Sequence, residues 1–328
     1  MTISESSNES LVSFLPQDMQ AALNNFEVAA ESIIATFLKG VDSREPPEII
    51  YHYTNDEGLR GILESGQIWL SDIFNLNDPS ELSHGFSHAV NILNRKAENG
   101  PPESQQFAKN FAAFHRGGMR KTAHYFVCSF SEDGDDLGQW RAYADNGRGY
   151  AIGFNAKALE NAFAYEDGQP IPNNSTFHIT YKDTVLADIH RQIIEHMFDL
   201  ISLPRGRNLD NATVNAYMQE LSVLLSVHAL RASLFCKHKA YEHEKEYRFF
   251  QIHRADMPPE IKQRYRSYEL VRYREFAWKR LQAGALKQII VGPAADRIKA
   301  TQFAADCMSA FDMRDIEIRY SAIPYRVL

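Results

Sequence analysis

Apolar residues recur at helical spacing between Ser10 and Gly40, where Leu23, Phe26, Ile33, Ile34, Phe37 and Leu38 mark one face of an amphipathic helix ending at Gly40. The pattern then changes period. "VDSREPPE" carries a proline pair and charges, and beyond it "IIYHYT" reads as a short strand. Asn55 or Asp56 can cap the next helix, "EGLRGILES", whose Leu59, Ile62 and Leu63 share a face and whose Gly66 suits a left-handed terminal residue. "QIWLS" follows as a strand. Further along, a helical stretch around "HGFSHAVNILNRK" is broken by "ENGPPES", and "AHYFVCSFSE" returns to strand chemistry. After it come a short helix at "LGQWRAY", a glycine turn at "NGRG" and the strand "GYAIGF".

Residues 184–235 hold long helical patterns split near "LPRGRNLDN", which reads as a helical insertion before the strand "HEKEYRFFQI". The last part predicts helix "FAWKRLQAGA", strand "LKQIIVG", helix "DRIKATQFAADCMSAF" and strand "DIEIRYSAI". Mixed helix and strand order of this kind predicts an α+β protein. The expected organisation is a helical segment over 1–45 and a larger domain over 46–328 carrying the insertion.

Composition narrows the classes. With 328 residues and 44 % hydrophobic content the chain can bury a sizeable core. A formal charge of −7 disfavours sequence-blind polyanion binding over the whole surface but leaves room for a local basic groove. Cys128, Cys236 and Cys307 are odd in number and form no CxxC pair, so neither a disulfide framework nor a zinc knuckle is expected. No basic and apolar leader opens the chain, and no apolar run approaches membrane-spanning length, so a reducing cytoplasm is the expected location, without membrane insertion.

Candidate chemistry sits in three strands. His52 and Thr54 alternate along the first and point the same way, while Tyr53 faces the other side and offers its backbone at the strand edge. In "CSFSE", Ser129 and Ser131 share a face and can hydrogen-bond a sugar or end a sheet. In "EHEKEYRFF", read as a strand, Glu244, Glu246 and Arg248 share a side. A carboxylate there can hold a ribose hydroxyl and stabilise positive charge, or simply pair with Arg248 on a solvated edge. Asn77 and Asp78 in "LNDPSE" fit an Asx turn, and Trp140 and Tyr143 fall on one helical face, which usually means packing. His84 and His88 lie four apart, but no third ligand can be named, so no metal is expected. "KQRYRSYELVRYREFAWKR" interleaves basic and aromatic residues, as either a nucleic-acid groove or a charged helix packed by its aromatic face.

These motifs carry a resemblance. "IIYHYTNDEGLRGILESGQIWL" resembles the opening of ADP-ribosyltransferase domains, especially DNA-modifying toxins. The span from about Ile49 to Leu328 resembles the bacterial family known as domain of unknown function 2971, through "YHYT", "LNDPSE", "CSFSE", "LGQWRAYADNGRGYAIGF", "HITY", "KHKAYEHEKEYRFF", "IIVGP" and "SAIPYR". The resemblance implies an ADP-ribosyltransferase-like mixed sheet and NAD as co-substrate. His52 would bond a ribose hydroxyl, the Tyr53 backbone would hold the nicotinamide amide, and Thr54 would support the strand. Glu246 would be the catalytic carboxylate, with Glu244 as the competing assignment. Trp140, Tyr143 or Trp69 would supply the ring that stacks on nicotinamide, and Ser129 would join the pocket. The implied role is a toxin or phage-defence effector acting on a nucleic-acid or protein acceptor. The alternative is a non-catalytic nucleotide-sensing or nucleic-acid-binding module.

Overall fold

The computed structural model describes residues 13–41, 45–76, 80–118, 123–166, 169–171, 174–254, 259–266, 268–279 and 284–326. The expected Asn77–Asp78 turn and the His84 side chain lie outside what is described. In chain order the elements are α1 (Gln17–Val41), β1 (Ile49–Thr54), α2 (Asp56–Ser65), β2 (Gln67–Asp72), α3 (Ser80–Glu98), α4 (Pro102–Gly118) and β3 (Ala123–Ser131). Then come α5 (Leu137–Tyr143), β4 (Tyr150–Asn155), α6 (Ala156–Ala164), the small hairpin β5 (Tyr165–Glu166) and β6 (Gln169–Pro170), β7 (Asn174–His178), α7 (Asp183–Phe198) and α8 (Asn211–Ser233). The remainder is β8 (Glu246–Arg254), β9 (Lys262–Arg266), β10 (Glu269–Ala277), β11 (Leu286–Val291), α9 (Arg297–Ala310) and β12 (Glu317–Tyr320).

The chain forms two units: Met1–Val41 with Asp78–Ala123 and Thr180–Lys239, and Asp42–Asn77 with His124–Ile179 and Ala240–Leu328. The first is a helical bundle of α1, α3, α4, α7 and α8. Its core follows the helical period: Met19, Leu23, Phe26, Ala30 and Ile34 of α1 are buried at steps of three and four, as are Tyr217, Leu221, Leu225 and His228 of α8. Phe86 and Phe111 stack with ring centroids 4.9 Å apart and tie α3 to α4.

The second unit is a ten-stranded sheet in the order β12, β11, β4, β1, β3, β2, β10, β9, with β8 pairing β3 and β7 beside it. One face carries the main core, in which Ile50, Ile68, Leu70, Phe126, Phe130, Phe154, Phe249 and Phe276 meet Leu59 and Leu63 of α2 and Leu159 and Phe163 of α6. Asn55 is the cap of α2, accepting from the Gly58 amide at 2.8 Å. Gly66 closes the helix at φ 65°, in the left-handed region where a Cβ is costly.

Two expectations change. The segment "FAWKRLQAGA" begins as strand, since Phe276 and Ala277 end β10 and pair with Ile68 and Gln67 of β2. Good helix formers there yield to the ladder, which satisfies the backbone and buries Phe276. The charged helix considered for 262–280 is likewise a hairpin, β9 with β10.

Candidate functional site

The central feature is a conflict of register around Ser129. β1 meets β3 at the pair Tyr51 and Ser131, and β2 meets it at Ser71 with Val127 and Asp72 with Phe126. Both pairings are antiparallel, so continuing them would set both Tyr53 and Trp69 opposite Ser129. Two strands cannot occupy one place, and the sheet parts there. The other edge of β3 stays covered by β8, through the Glu132 amide bonded to the Lys245 carbonyl at 2.9 Å and the Tyr125 and Phe250 rings at 6.2 Å.

At this parting Ser129 is exposed, and its hydroxyl donates to Oε1 of Glu246 at 2.5 Å. The same oxygen accepts from Nε of Arg248 at 2.7 Å. Glu246 is 3 % exposed and Arg248 1 %, so the expected ion pair forms but is buried rather than solvated. Removing two charges from water is costly, and mutual attraction with further hydrogen bonds offsets that cost.

Local backbone places Glu246. The reading of Glu244 and Glu246 on one strand face is corrected, because β8 starts at Glu246 and residues 239–244 form a 3-10 turn. Between them Lys245 sits at φ 43°, in the left-handed region, and its ammonium pairs with Asp133 at 3.0 Å. Glu244 is buried too, but it neighbours the Tyr143 hydroxyl at 3.4 Å, and its carbonyl accepts from Ser131.

His52 turns its ring edge toward Phe130 at 5.7 Å. Burial drives its pKa down to about 4, against the opposing pull of the Ser129 carbonyl, and the charge of Arg264 adds to the fall. The ring is therefore neutral at neutral pH and can hydrogen-bond a ligand without carrying charge. Thr54 lies over the start of α2, where a Cβ on Gly58 would come 1.9 Å from its Oγ1, so its role is to seat the helix against the strand.

The other face of β1 is occupied differently. The Tyr53 hydroxyl donates to the Asp133 carbonyl at 2.7 Å and accepts from the Asp136 amide at 3.1 Å. Trp140 is fully buried, its ring edge-on to Tyr53 at 4.9 Å and its Nε1 donated to Asp135 at 2.8 Å. That packing removes Trp140 as a stacking platform and corrects its candidacy. Tyr143 is 39 % exposed, and Trp69 42 %. Thus the structure brings Ser129 and Glu246 together at the parting on the Tyr53 face of the sheet, sets His52 beside the same gap but on the Phe130 face, places Tyr143 near Glu244, and gives Thr54 and Trp140 to packing.

Sequence reasoning left Arg248 as a surface partner and passed over Arg264. The latter's guanidinium lies over Trp69 at 5.1 Å. Strand alternation signals the inward direction of Arg248, two residues from Glu246, whereas the neighbours of Arg264 depend on a long-range ladder.

Among the described residues no cluster of three or more metal-ligating side chains occurs, and no helix is long and apolar enough to cross a membrane. A cleft of about 440 Å³ in the helical unit, lined by Ile33, Thr36, Phe37, Val185 and Ile189, holds one carboxylate, Asp188, which is bonded to Arg191 and Gln192. No curated protein and no solved structure matches the chain. Residues 139–249, which run from α5 into β8 and include Glu244, Glu246 and Arg248, match the model of the family described as "Protein of unknown function (DUF2971)", the family that the sequence motifs resemble.

Proposed function

We propose that the sheet unit binds NAD at the parting of β1 and β2 and transfers ADP-ribose to a macromolecular acceptor. The observation that carries this reading is the buried Glu246 carboxylate, held 2.5 Å from the exposed Ser129 hydroxyl and balanced by Arg248. In the reaction the bond between ribose C1′ and the nicotinamide nitrogen breaks and nicotinamide leaves with the bonding pair. C1′ then bonds the acceptor nucleophile, whose proton passes to solvent water. Positive charge grows on the ribose as nicotinamide departs, and a fixed carboxylate in a water-poor site stabilises it more in the transition state than in the ground state. Neutral His52 reaches the gap from the Phe130 face and bonds a ribose hydroxyl, Ser129 forms the polar floor with Glu246 on the Tyr53 face, and the Tyr53 backbone at the strand edge takes the nicotinamide amide.

A nucleic-acid-reading module is less favoured, because three of the cations on β9 and β10 are already ion-paired: Lys262 with Glu275, Arg266 with Glu269 and Arg272 with Asp72. Nicotinamide release from NAD, with and without cell lysate, tests the proposal. Release that is lost in Glu246→Gln and kept in Glu244→Gln is expected; a wild-type protein that neither binds NAD nor releases nicotinamide would overturn it.

A further inference from the structure

Among the described residues two cations of the β9 and β10 hairpin lack a carboxylate partner, Arg264 and Arg274, and only Arg264 lacks side-chain hydrogen bonds as well. Lys262, Arg266 and Arg272 each have a carboxylate within 2.6–3.3 Å. Arg274 is bonded to Gln251 at 3.0 Å and to His253 at 2.6 Å. The Arg264 side chain makes no hydrogen bond or ion pair among the described residues, its Nε is buried without an acceptor, and its guanidinium lies over the Trp69 ring face at 5.1 Å. Burial is the main cause that lowers its pKa, and the charge of Arg266 adds to it. A half-buried guanidinium with no counter-ion is unfavourable unless an anion completes it.

Its surroundings say which kind of anion. Arg264 is registered with Val271, Tyr273 with Ser71, and Ser71 with Val127, two residues from Ser129. Paired positions share a face, so Arg264 stands on the Ser129 face of the sheet. Trp69 lies beside it, its ring 4.4 Å from Tyr273, and is the residue that unbroken pairing would have set opposite Ser129. On this face the parting therefore has Glu246 and Ser129 at its floor and Arg264 with an exposed indole on the β2 side, while His52 lines the gap from the Phe130 face. Arg264 is close enough to depress the pKa of His52.

We propose that Arg264 and Trp69 form a subsite for a nucleoside diphosphate, with Arg264 binding the phosphates and the indole lying beside the base or ribose. The assignment rests on the NAD reading of the same face and specifies which side chains take the ADP half. A guanidinium suits phosphate through planar, charge-assisted hydrogen bonds, and an aromatic neighbour suits a nucleoside better than an acidic peptide or inorganic phosphate.

Calorimetric titration of the full chain with ADP, ADP-ribose, adenosine and nicotinamide mononucleotide tests this. ADP and ADP-ribose should bind, adenosine should bind much more weakly, and Arg264→Gln should weaken the two diphosphates by roughly tenfold to a hundredfold. Nicotinamide mononucleotide should be insensitive to that change. Arg264→Lys should recover part of the loss, and Trp69→Ala should weaken ADP more than inorganic pyrophosphate; melting curves check that each variant folds. Absence of ADP binding by the wild type, or equal ADP binding by Arg264→Gln, overturns the subsite. ADP binding through Arg264 without nicotinamide release would sink the transferase reading and leave the subsite standing. Glu246-dependent release with an unchanged KM for NAD in Arg264→Gln would do the reverse.

Discussion

In the helical unit His228 is 2 % exposed, and neither ring nitrogen has a hydrogen-bond partner among the described residues; its neighbour is the edge of Phe26 at 6.0 Å. In the sheet unit Glu246 is 3 % exposed and is bonded to both Ser129 and Arg248. The bundle thus buries a polar ring by keeping it neutral, while the sheet buries a charge by pairing it. A bundle satisfies its backbone within each helix, and the polar side chains buried there, such as His190, Ser226 and Ser233, are uncharged and bond helix carbonyls. A parted sheet loses ladder bonds at the gap, and side chains with charge and hydroxyls collect there. This difference is why candidate chemistry gathers in the second unit.

The strongest test of that contrast is Arg248→Met. It leaves Glu246 buried without its cation, so the sheet unit should lose about 3–5 kcal/mol, read from the denaturant midpoint. Adding Glu246→Gln should restore much of it, because the uncompensated charge is then gone. If the single variant unfolds at the wild-type midpoint, the pair is not what holds β8 to β3.

Acid should affect the bundle through its buried histidines. Burial lowers both His190 and His228 to about 4, below the ordinary value of about 6.5 for an unfolded chain. Between those values the unfolded state binds more protons, so stability rises with pH; the contribution is complete above about 6.5 and is lost as pH falls toward 4. At pH 5 each such histidine costs about 2 kcal/mol relative to neutral pH. His228→Leu should therefore flatten the pH dependence of the unfolding midpoint, and an identical slope in the variant would show that His228 protonates freely in the folded chain.

Much of this was readable in the sequence, and the reasons differ by element. The β1 strand, the cap and glycine stop of α2, and the alternation that sets Ser129 beside Ser131 are local patterns, and each appears in the structure. α4 was hidden because Pro102 reads as a breaker, although proline is tolerated at a first helical position. The 3-10 turn before Glu246 was missed because "EHEKEYRFF" alternates well enough to be a strand throughout, and the left-handed Lys245 has no glycine to announce it. The parting at Ser129 arises from two ladders with incompatible continuations. No short window contains both, which also explains why Arg264 and Trp69 could not be joined beforehand.

A smaller effect probes the junction of β1 with α2. Gly58→Ala places a Cβ 1.9 Å from the Thr54 Oγ1. Overpacking of about 1–3 kcal/mol is partly offset by the better helix propensity of alanine, worth about 1 kcal/mol. The midpoint should fall modestly and recover in Thr54→Ala with Gly58→Ala. A single variant as stable as wild type would mean that the threonine rotates away at no cost, so the seat it provides is not required.

Tyr53→Phe should have the smallest effect, and it separates side chain from backbone at a position where both matter. The hydroxyl bridges the Asp133 carbonyl and the Asp136 amide, which lie in the loop between β3 and α5. The ring packs on Trp140 and stays in place in phenylalanine. Losing the two hydrogen bonds should lower stability by about 1 kcal/mol and speed amide exchange at Asp136, without disturbing the ladder between Tyr53 and Ala151. Exchange that accelerates along β1 as well would show that the hydroxyl holds the strand edge itself. In that case the edge beside the parting is set from the Trp140 side of the sheet as much as from the Phe130 side.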